Sequence, residues 1–85
     1  MRFDGALVKE RGVTFAIVVV KRSVLNSSNR EEVRRDFARF FPLGTPVILM
    51  AQDSSGIPTY HGRTDIVNFL ANIDPTRIPW QRYSA

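Results

Sequence analysis

The feature that most constrains this chain is a continuous apolar run at residues 13–20, with the sequence VTFAIVVV. Its last four side chains are β-branched, and such side chains lose rotamer freedom in a helix but fit a pleated surface. A short apolar run without polar alternation is typical of a strand buried on both faces. Gly12 and Lys21 bound the run. The sequence therefore predicts a central strand around which one sheet is built.

Three further strands are predicted beside this one. Residues 3–8 form a first apolar segment, and the polar link at residues 9–12 ends in glycine, so the first two strands are predicted to be an antiparallel hairpin. Residues 46–51 form a third strand that is apolar on both faces. A short fourth strand at residues 59–61 follows Pro58, which lacks an N–H, so this strand is predicted to lie at an edge or to begin at that proline.

Two helices complete the pattern. Ser28 and Glu31 fit a capping box at the start of the first helix. Four apolar residues then follow the spacing of one helix face: Val33, Phe37, Phe40 and Phe41. The second helix is predicted to begin with Thr64 as its N-cap and to end before Pro75. Because a strand, a helix and a strand in this order form a right-handed crossover, strands two and three are predicted to be parallel.

These elements predict one α+β domain over residues 1–85, a two-layer fold in the order β-β-α-β-β-α. One mixed four-stranded sheet carries the helices. The tail at residues 78–83 contains two large aromatic side chains and an isoleucine, which bury well, so the tail is predicted to be anchored. A chain of 85 residues is long enough for one small core.

The two central strands raise the question of what covers each face of the sheet. Both strands are apolar on both faces, so if both helices lie on one face, the other needs a cover. The tail could supply it in the same chain, or a second copy could supply it in a homodimer. The dimer is the favoured prediction, because a bare sheet face would be a large apolar patch for a monomer. The predicted interface consists of Val18, Val20, Ile48, Met50, Trp80 and Tyr83.

Composition excludes several kinds of chemistry. The chain has no cysteine, which excludes disulfides, thiol catalysis, thiolate metal sites and iron–sulfur clusters. The N-terminal region has charges of both signs before its apolar run, unlike a signal peptide, and an eight-residue run is too short to cross a bilayer as a helix. The sequence therefore predicts a cytoplasmic protein without membrane contact and without a cofactor.

The single histidine, His61, is the natural centre of a search for catalytic residues. A hydrolytic triad can be drawn from His61, the nearby carboxylates Asp53 and Asp65, and the two serines at 54–55, but no G-x-S-x-G nucleophile elbow is present. The segment at residues 53–56 reads DSSG, which is typical of a tight turn. One histidine and scattered carboxylates also lack the spacing of metal ligands. No catalytic residue and no metal site is predicted.

Two groups of residues instead suggest anion binding. The first is Tyr60, His61, Arg63 and Thr64, at the predicted start of the second helix. Free N–H groups there attract anions and Arg63 can bind one in a bidentate manner, although Asp65 opposes this. The second group is Arg34, Arg35 and Arg39 on the exposed side of the first helix, in a chain of net charge +4. Acidic residues are interleaved with these arginines, which also favours ion pairs along the helix.

The piece from residue 46 to residue 73 resembles the C-terminal half of thioredoxin and glutaredoxin folds. Residues 56–59, GIPT, resemble the segment around the cis-proline of that family, and residues 62–70, GRTDIVNFL, resemble the glycine-then-helix ending of glutaredoxins. The pair of cysteines of that family has no counterpart here, so the resemblance implies part of a fold and no redox activity.

The first function predicted from the sequence is a small non-enzymatic cytoplasmic domain that acts through self-association or contact with another protein. The alternative is a module that binds an anion, a phosphate ligand or nucleic acid. It would use Arg63 at the helix start, or the arginines of the first helix.

Overall fold

The computed structural model describes residues 2–10 and 12–84. The elements in chain order are β1 (Arg2–Glu10), β2 (Val13–Val19), α1 (Arg22–Leu25), α2 (Arg30–Ala38), β3 (Val47–Gln52), β4 (Pro58–His61), α3 (Thr64–Leu70), a 3₁₀ turn (Pro75–Arg77) and β5 (Gln81–Ser84). The strands form one mixed sheet in the order β4-β3-β2-β1-β5.

The centre of this sheet is arranged as the sequence predicts. β2 pairs with β1 in an antiparallel hairpin and with β3 in parallel, with Ile17 opposite Ile48. β4 is antiparallel to β3 and lies at one edge, where the missing N–H of Pro58 is tolerated. An α+β fold with a mixed sheet is therefore confirmed.

The predicted strand count and element order are wrong. The sheet has five strands, because the tail forms β5 and pairs antiparallel with the start of β1. The ring of Tyr83 stacks on that of Phe3 at 5.1 Å, which gives the tail a fixed partner at the other end of the chain. A short helix, α1, also forms in the segment after β2. The order is therefore β-β-α-α-β-β-α-β, with the 3₁₀ turn before the last strand.

The helices lie on both faces of the sheet, so the two-layer prediction is also wrong and the fold has three layers. α1 and α2 cover one face, around Val18, Leu49 and the aromatic side chains of Phe3, Phe37 and Phe41. α3 and the residue after the 3₁₀ turn cover the other face, around Phe15, Ile17, Ile48, Ile66 and Ile78. Since β2 is apolar on both faces, each face needs its own cover, and the chain supplies both.

The predicted dimer interface does not form one exposed surface. Val18 lies on the α2 side, whereas Ile48 and Met50 lie on the α3 side, since Val18 pairs with Leu49 in the parallel register. Val18 and Ile48 are completely buried within the single chain. Val20 and Tyr83 are half-buried with Val18, and Trp80 is half-buried on the opposite side. The bare sheet face that motivated the dimer prediction is therefore absent from the described residues.

The predicted helix caps are wrong in detail. α2 begins at Arg30 after Asn29, and no side chain caps its first N–H groups. The predicted capping box does not form because the N-cap of α2 is Asn29 and not Ser28, and the carboxylate of Glu31 contacts Arg34 and His61. At α3 the N-cap residue is Arg63, one position before the predicted Thr64.

Candidate functional site

A charged cluster links α2 to the sheet. His61 Nε2 lies 2.8 Å from Oε1 of Glu31, and Arg34 donates to the other carboxylate oxygen. Arg34 also donates through Nη1 to the carbonyl oxygen of Val47 at 3.4 Å. The hydrogen bond from Arg34, followed by that from His61, lowers the pKa of the Glu31 carboxyl. The cluster therefore ties α2 to the start of β3 and the end of β4.

This cluster does not assemble the triad considered from the sequence. A carboxylate beside an imidazole resembles the acid and histidine of a catalytic triad. A triad also needs a nucleophile within hydrogen-bond distance of the histidine. The serines at 54–55 lie in the turn before β4, whereas His61 is the last residue of that strand. Asp53 Oδ1 accepts from the N–H groups of Ser55 and Ile57, at 2.8 and 2.9 Å. Asp53 is therefore a turn residue.

The four residues predicted to bind an anion do not surround one point. Tyr60 and His61 are neighbours in a strand, so Tyr60 packs toward α3 and His61 contacts Glu31 of α2. The hydroxyl of Tyr60 is buried and has no hydrogen-bond partner among the described residues, and burial raises the pKa of Tyr60. Arg63 donates through Nε and Nη2 to both carboxylate oxygens of Asp65, at 2.8 and 2.7 Å. Thr64 is exposed as the first residue of α3.

The Arg63–Asp65 pair predicts a pH dependence of stability. The hydrogen bonds from Arg63 lower the pKa of Asp65 from 3.8 to about 2. Since the folded-state pKa is the lower one, the contribution is present above pH 3.8 and is lost as the pH falls toward about 2. We expect Asp65→Asn to lower the melting temperature at neutral pH, with a difference from wild type that shrinks across this window. Thermal melts over pH 2–7 measure the difference.

Arg63→Gln is the matched variant for this test, because it removes the same hydrogen bonds from the other side. It should show the same loss of pH dependence. A difference between wild type and Asp65→Asn that is unchanged at the acid end of the range would contradict the assignment to this pair.

The predicted arginine face of the first helix is split. Arg34 is half-buried and is engaged by Glu31 and the Val47 carbonyl. Arg35 and Arg39 are exposed, and the guanidinium carbon of Arg39 lies 5.3 Å from the ring centre of Phe40. Two of the three arginines therefore remain available to an outside partner.

A cleft that the sequence analysis missed opens between the first two helices and the ends of β1 and β2. Its volume is about 440 Å³. Apolar side chains form most of its floor: Phe3, Val20, Val24, Val33 and Phe40. Four exposed charged residues also line the cleft and are called its rim: Arg2, Lys21, Asp36 and Arg39. The adjacency of basic and apolar residues at 2–3, 20–21 and 39–40 was visible in the sequence, but nothing local showed that these pairs meet.

The floor of the cleft rests on a packed aromatic cluster. The centre of the Phe3 ring lies 5.0 Å from that of Phe37 and 5.3 Å from that of Phe40. The ring of Phe3 also stacks on that of Tyr83. Aromatic pairs at these separations add to the free energy of burial. The cleft is therefore a concave surface with a firmly packed base and a rim that is positive on balance.

Further observations limit the chemistry of the described residues. Residues 2–10 and 12–84 contain no group of three or more His, Cys, Asp or Glu side chains that could hold a metal ion. No helix in this part of the chain is long and apolar enough to cross a membrane.

Comparison with family models, with curated proteins and with solved structures found no match to the chain. The resemblance of residues 46–73 to thioredoxin and glutaredoxin folds stays a prediction from the sequence.

Proposed function

We propose that this chain is a small non-enzymatic domain that acts through contact with another protein, and that the cleft is its contact surface. The cleft carries the proposal, because it combines an apolar floor with charged groups at the rim. Two of the side chains considered for chemistry are engaged by carboxylates of the same chain: His61 by Glu31, and Arg63 by Asp65. On the sequence grounds given above, we also propose a cytoplasmic location.

The charge of the rim favours a different protein over a second copy of this chain. In a two-fold symmetric dimer the same patch meets itself, so a patch with three cations, Arg2, Lys21 and Arg39, and one carboxylate would meet a patch of the same positive charge. Like charges in an interface suppress association. Of the two modes predicted from the sequence, contact with another protein therefore fits the cleft better than self-association does.

The apolar floor is suited to one anchoring side chain of the partner. Complete burial of a Leu or Phe side chain contributes about 1.5–3 kcal/mol. A cleft of about 440 Å³ lies within the size range of sites that enclose a compact group. We therefore propose that the partner inserts an apolar side chain above Phe40 and Val24.

Selection from a random peptide display library tests this proposal. Binders selected on the wild-type domain should lose at least about tenfold in affinity on Val24→Glu, because the new carboxylate stands in the apolar cleft and removes about 1.4 kcal/mol or more of anchoring. Ile57→Glu is the matched control, since Ile57 is 63% exposed and lies outside the cleft. Binding should be unchanged on that variant.

Two measurements keep this test independent of folding defects. Thermal melts establish that both variants fold, and amide chemical shifts of the wild-type domain map the bound peptide onto Val20, Val24 and Phe40. Binders that survive Val24→Glu and shift other amides would overturn the proposal. A dimer in sedimentation that persists in the Val24→Glu variant would restore self-association as the better proposal.

The alternative function, binding of an anion or nucleic acid, retains one supporting observation. Arg35 and Arg39 are exposed on α2 and the end of that helix, one turn apart. Neighbouring cations at that spacing can meet successive phosphates. Titration with a random-sequence oligonucleotide at low salt tests it, and binding that is lost on Arg35→Gln but kept on Val24→Glu would favour this alternative.

A further inference from the structure

We infer that the segment bound by the cleft is acidic, with carboxylate side chains on either side of its apolar anchor. This inference rests on the proposed function, because it names the chemistry of the partner at the same cleft. It is carried by the placement of three cations around one apolar floor.

The three rim cations have no acidic partner within the described chain. Arg34, Arg63 and Arg82 each bind a carboxylate of the chain. Among residues 2–10 and 12–84, no ion pair involves Arg2, Lys21 or Arg39. Other exposed cations are also unpaired, so the argument depends on where these three stand. All three line a single cleft with mostly apolar walls, and Asp36 is the one carboxylate among the described residues that lines it with them.

Charge and apolar surface alternate closely around this cleft. Each rim cation is the sequence neighbour of a floor residue, as Arg2 is of Phe3, Lys21 of Val20 and Arg39 of Phe40. The guanidinium carbon of Arg39 lies 5.3 Å from the centre of the Phe40 ring. At this separation a cation–π attraction holds the guanidinium close to the floor of the cleft. A partner that places an apolar side chain on the floor therefore brings its adjacent side chains to the cations.

An acidic polypeptide fits this arrangement better than a nucleic acid does. Of the aromatic rings that line the cleft, those of Phe3 and Phe37 are buried and that of Phe40 lies under the guanidinium of Arg39, so the cleft offers little open ring surface on which bases could stack. The net charge of +4 would accelerate encounter with an acidic partner at low salt.

The same display selection tests this inference through the sequences that it returns. We expect selected peptides to contain an excess of Asp and Glu within two positions of an apolar anchor. Replacing those carboxylates by amides in a synthetic copy of one selected peptide should weaken binding by up to about fivefold for each charge removed, as expected for exposed ion pairs. Raising the salt concentration should weaken the binding of the acidic peptide and leave the affinity of the amide version nearly unchanged.

Variants of the rim cations distinguish direct contact between these cations and the peptide from a long-range effect of the net charge of the domain. Lys21→Gln and Arg39→Gln should each lower the affinity for the acidic peptide by up to about fivefold. Neither variant should change the affinity for the amide version of that peptide. Arg77→Gln is the matched control, because it removes the same charge from the 3₁₀ turn outside the cleft. If Arg77→Gln weakens binding as much as the rim variants do, the charge acts only at long range and the inference fails.

The outcomes distinguish this inference from the function on which it rests. Selected peptides that lack acidic residues but still require the cleft, as judged by Val24→Glu, would overturn the inference and leave the proposed function standing. Peptides that ignore Val24→Glu would overturn both. An oligonucleotide that binds more tightly than any selected peptide, and that is weakened by Lys21→Gln and Arg39→Gln, would replace the acidic polypeptide with a nucleic acid.

Discussion

Replacing Phe3 by alanine is expected to lower the free energy of unfolding by about 3–5 kcal/mol, the range for removing a buried aromatic side chain. Phe3 is 6% exposed and lies against the rings of Phe37, Phe40, Phe41 and Tyr83. Its loss would leave a cavity under the cleft and remove the ring on which Tyr83 stacks. In a domain of this size, each kcal/mol corresponds to about 4–8 °C in melting temperature.

Leu43→Ala is the control for this prediction, because Leu43 is fully exposed in the loop before β3. Its effect should stay within about 0.5 kcal/mol. Urea denaturation of the two variants gives both free energies, and the Phe3 variant should also lose order in β5. Equal stability of the two variants would show that the aromatic cluster contributes little to the fold.

Gly62→Ala is expected to destabilise the domain by about 1–3 kcal/mol through overpacking. A Cβ at Gly62 would collide with Cδ1 of Ile48 and would lie 3.1 Å from the carbonyl oxygen of Val47. Ile48 is completely buried, so its side chain cannot move outward to make room. The glycine is therefore needed where the chain leaves β4 and passes close to β3.

A double-mutant cycle with Ile48→Val isolates this collision. Ile48→Val removes the colliding Cδ1 and should cost about 0.5–1.5 kcal/mol on its own. If the collision is the cause, the double variant loses less than the sum of the two single variants, with a coupling of at least about 0.5 kcal/mol. Additive losses in urea denaturation would instead assign the cost at Gly62 to its backbone conformation.

Residues that are adjacent in the sequence need not take part in the same site, and the candidate site shows this. Tyr60 and His61 adjoin in the sequence, which predicts that both belong to one anion site, but a strand directs them to opposite faces. His61 instead meets Glu31, a residue from another element. Periodicity predicts which side of an element a residue occupies, but it carries no information about which element lies against that side.

The cleft was outside the reach of sequence analysis for the same reason. Arg2, Lys21 and Arg39 come from three separate parts of the chain, and none of them belongs to a basic run. They meet because β1 is the hairpin partner of β2 and because α1 and α2 cover one face of both strands. Only the tertiary arrangement could therefore show that these charges surround one apolar floor.

The sequence by itself determined the elements whose signals are local. Residue type and spacing predict the β-branched strand β2, its antiparallel pairing with β1, its parallel pairing with β3 and the edge position of β4, and all four are confirmed. These features depend on side-chain shape and on backbone N–H groups, which act within a few residues.

The tertiary structure decided the fifth strand and the side on which each helix lies. β5 is short and polar, and it is a strand because it pairs with β1 and stacks Tyr83 on Phe3. A strand that is apolar on both faces permits helices on either face, so the pattern of β2 allowed both one-sided and two-sided packing. The three-layer arrangement covers both faces within one chain, and this burial removes the apolar side chains of both faces from water.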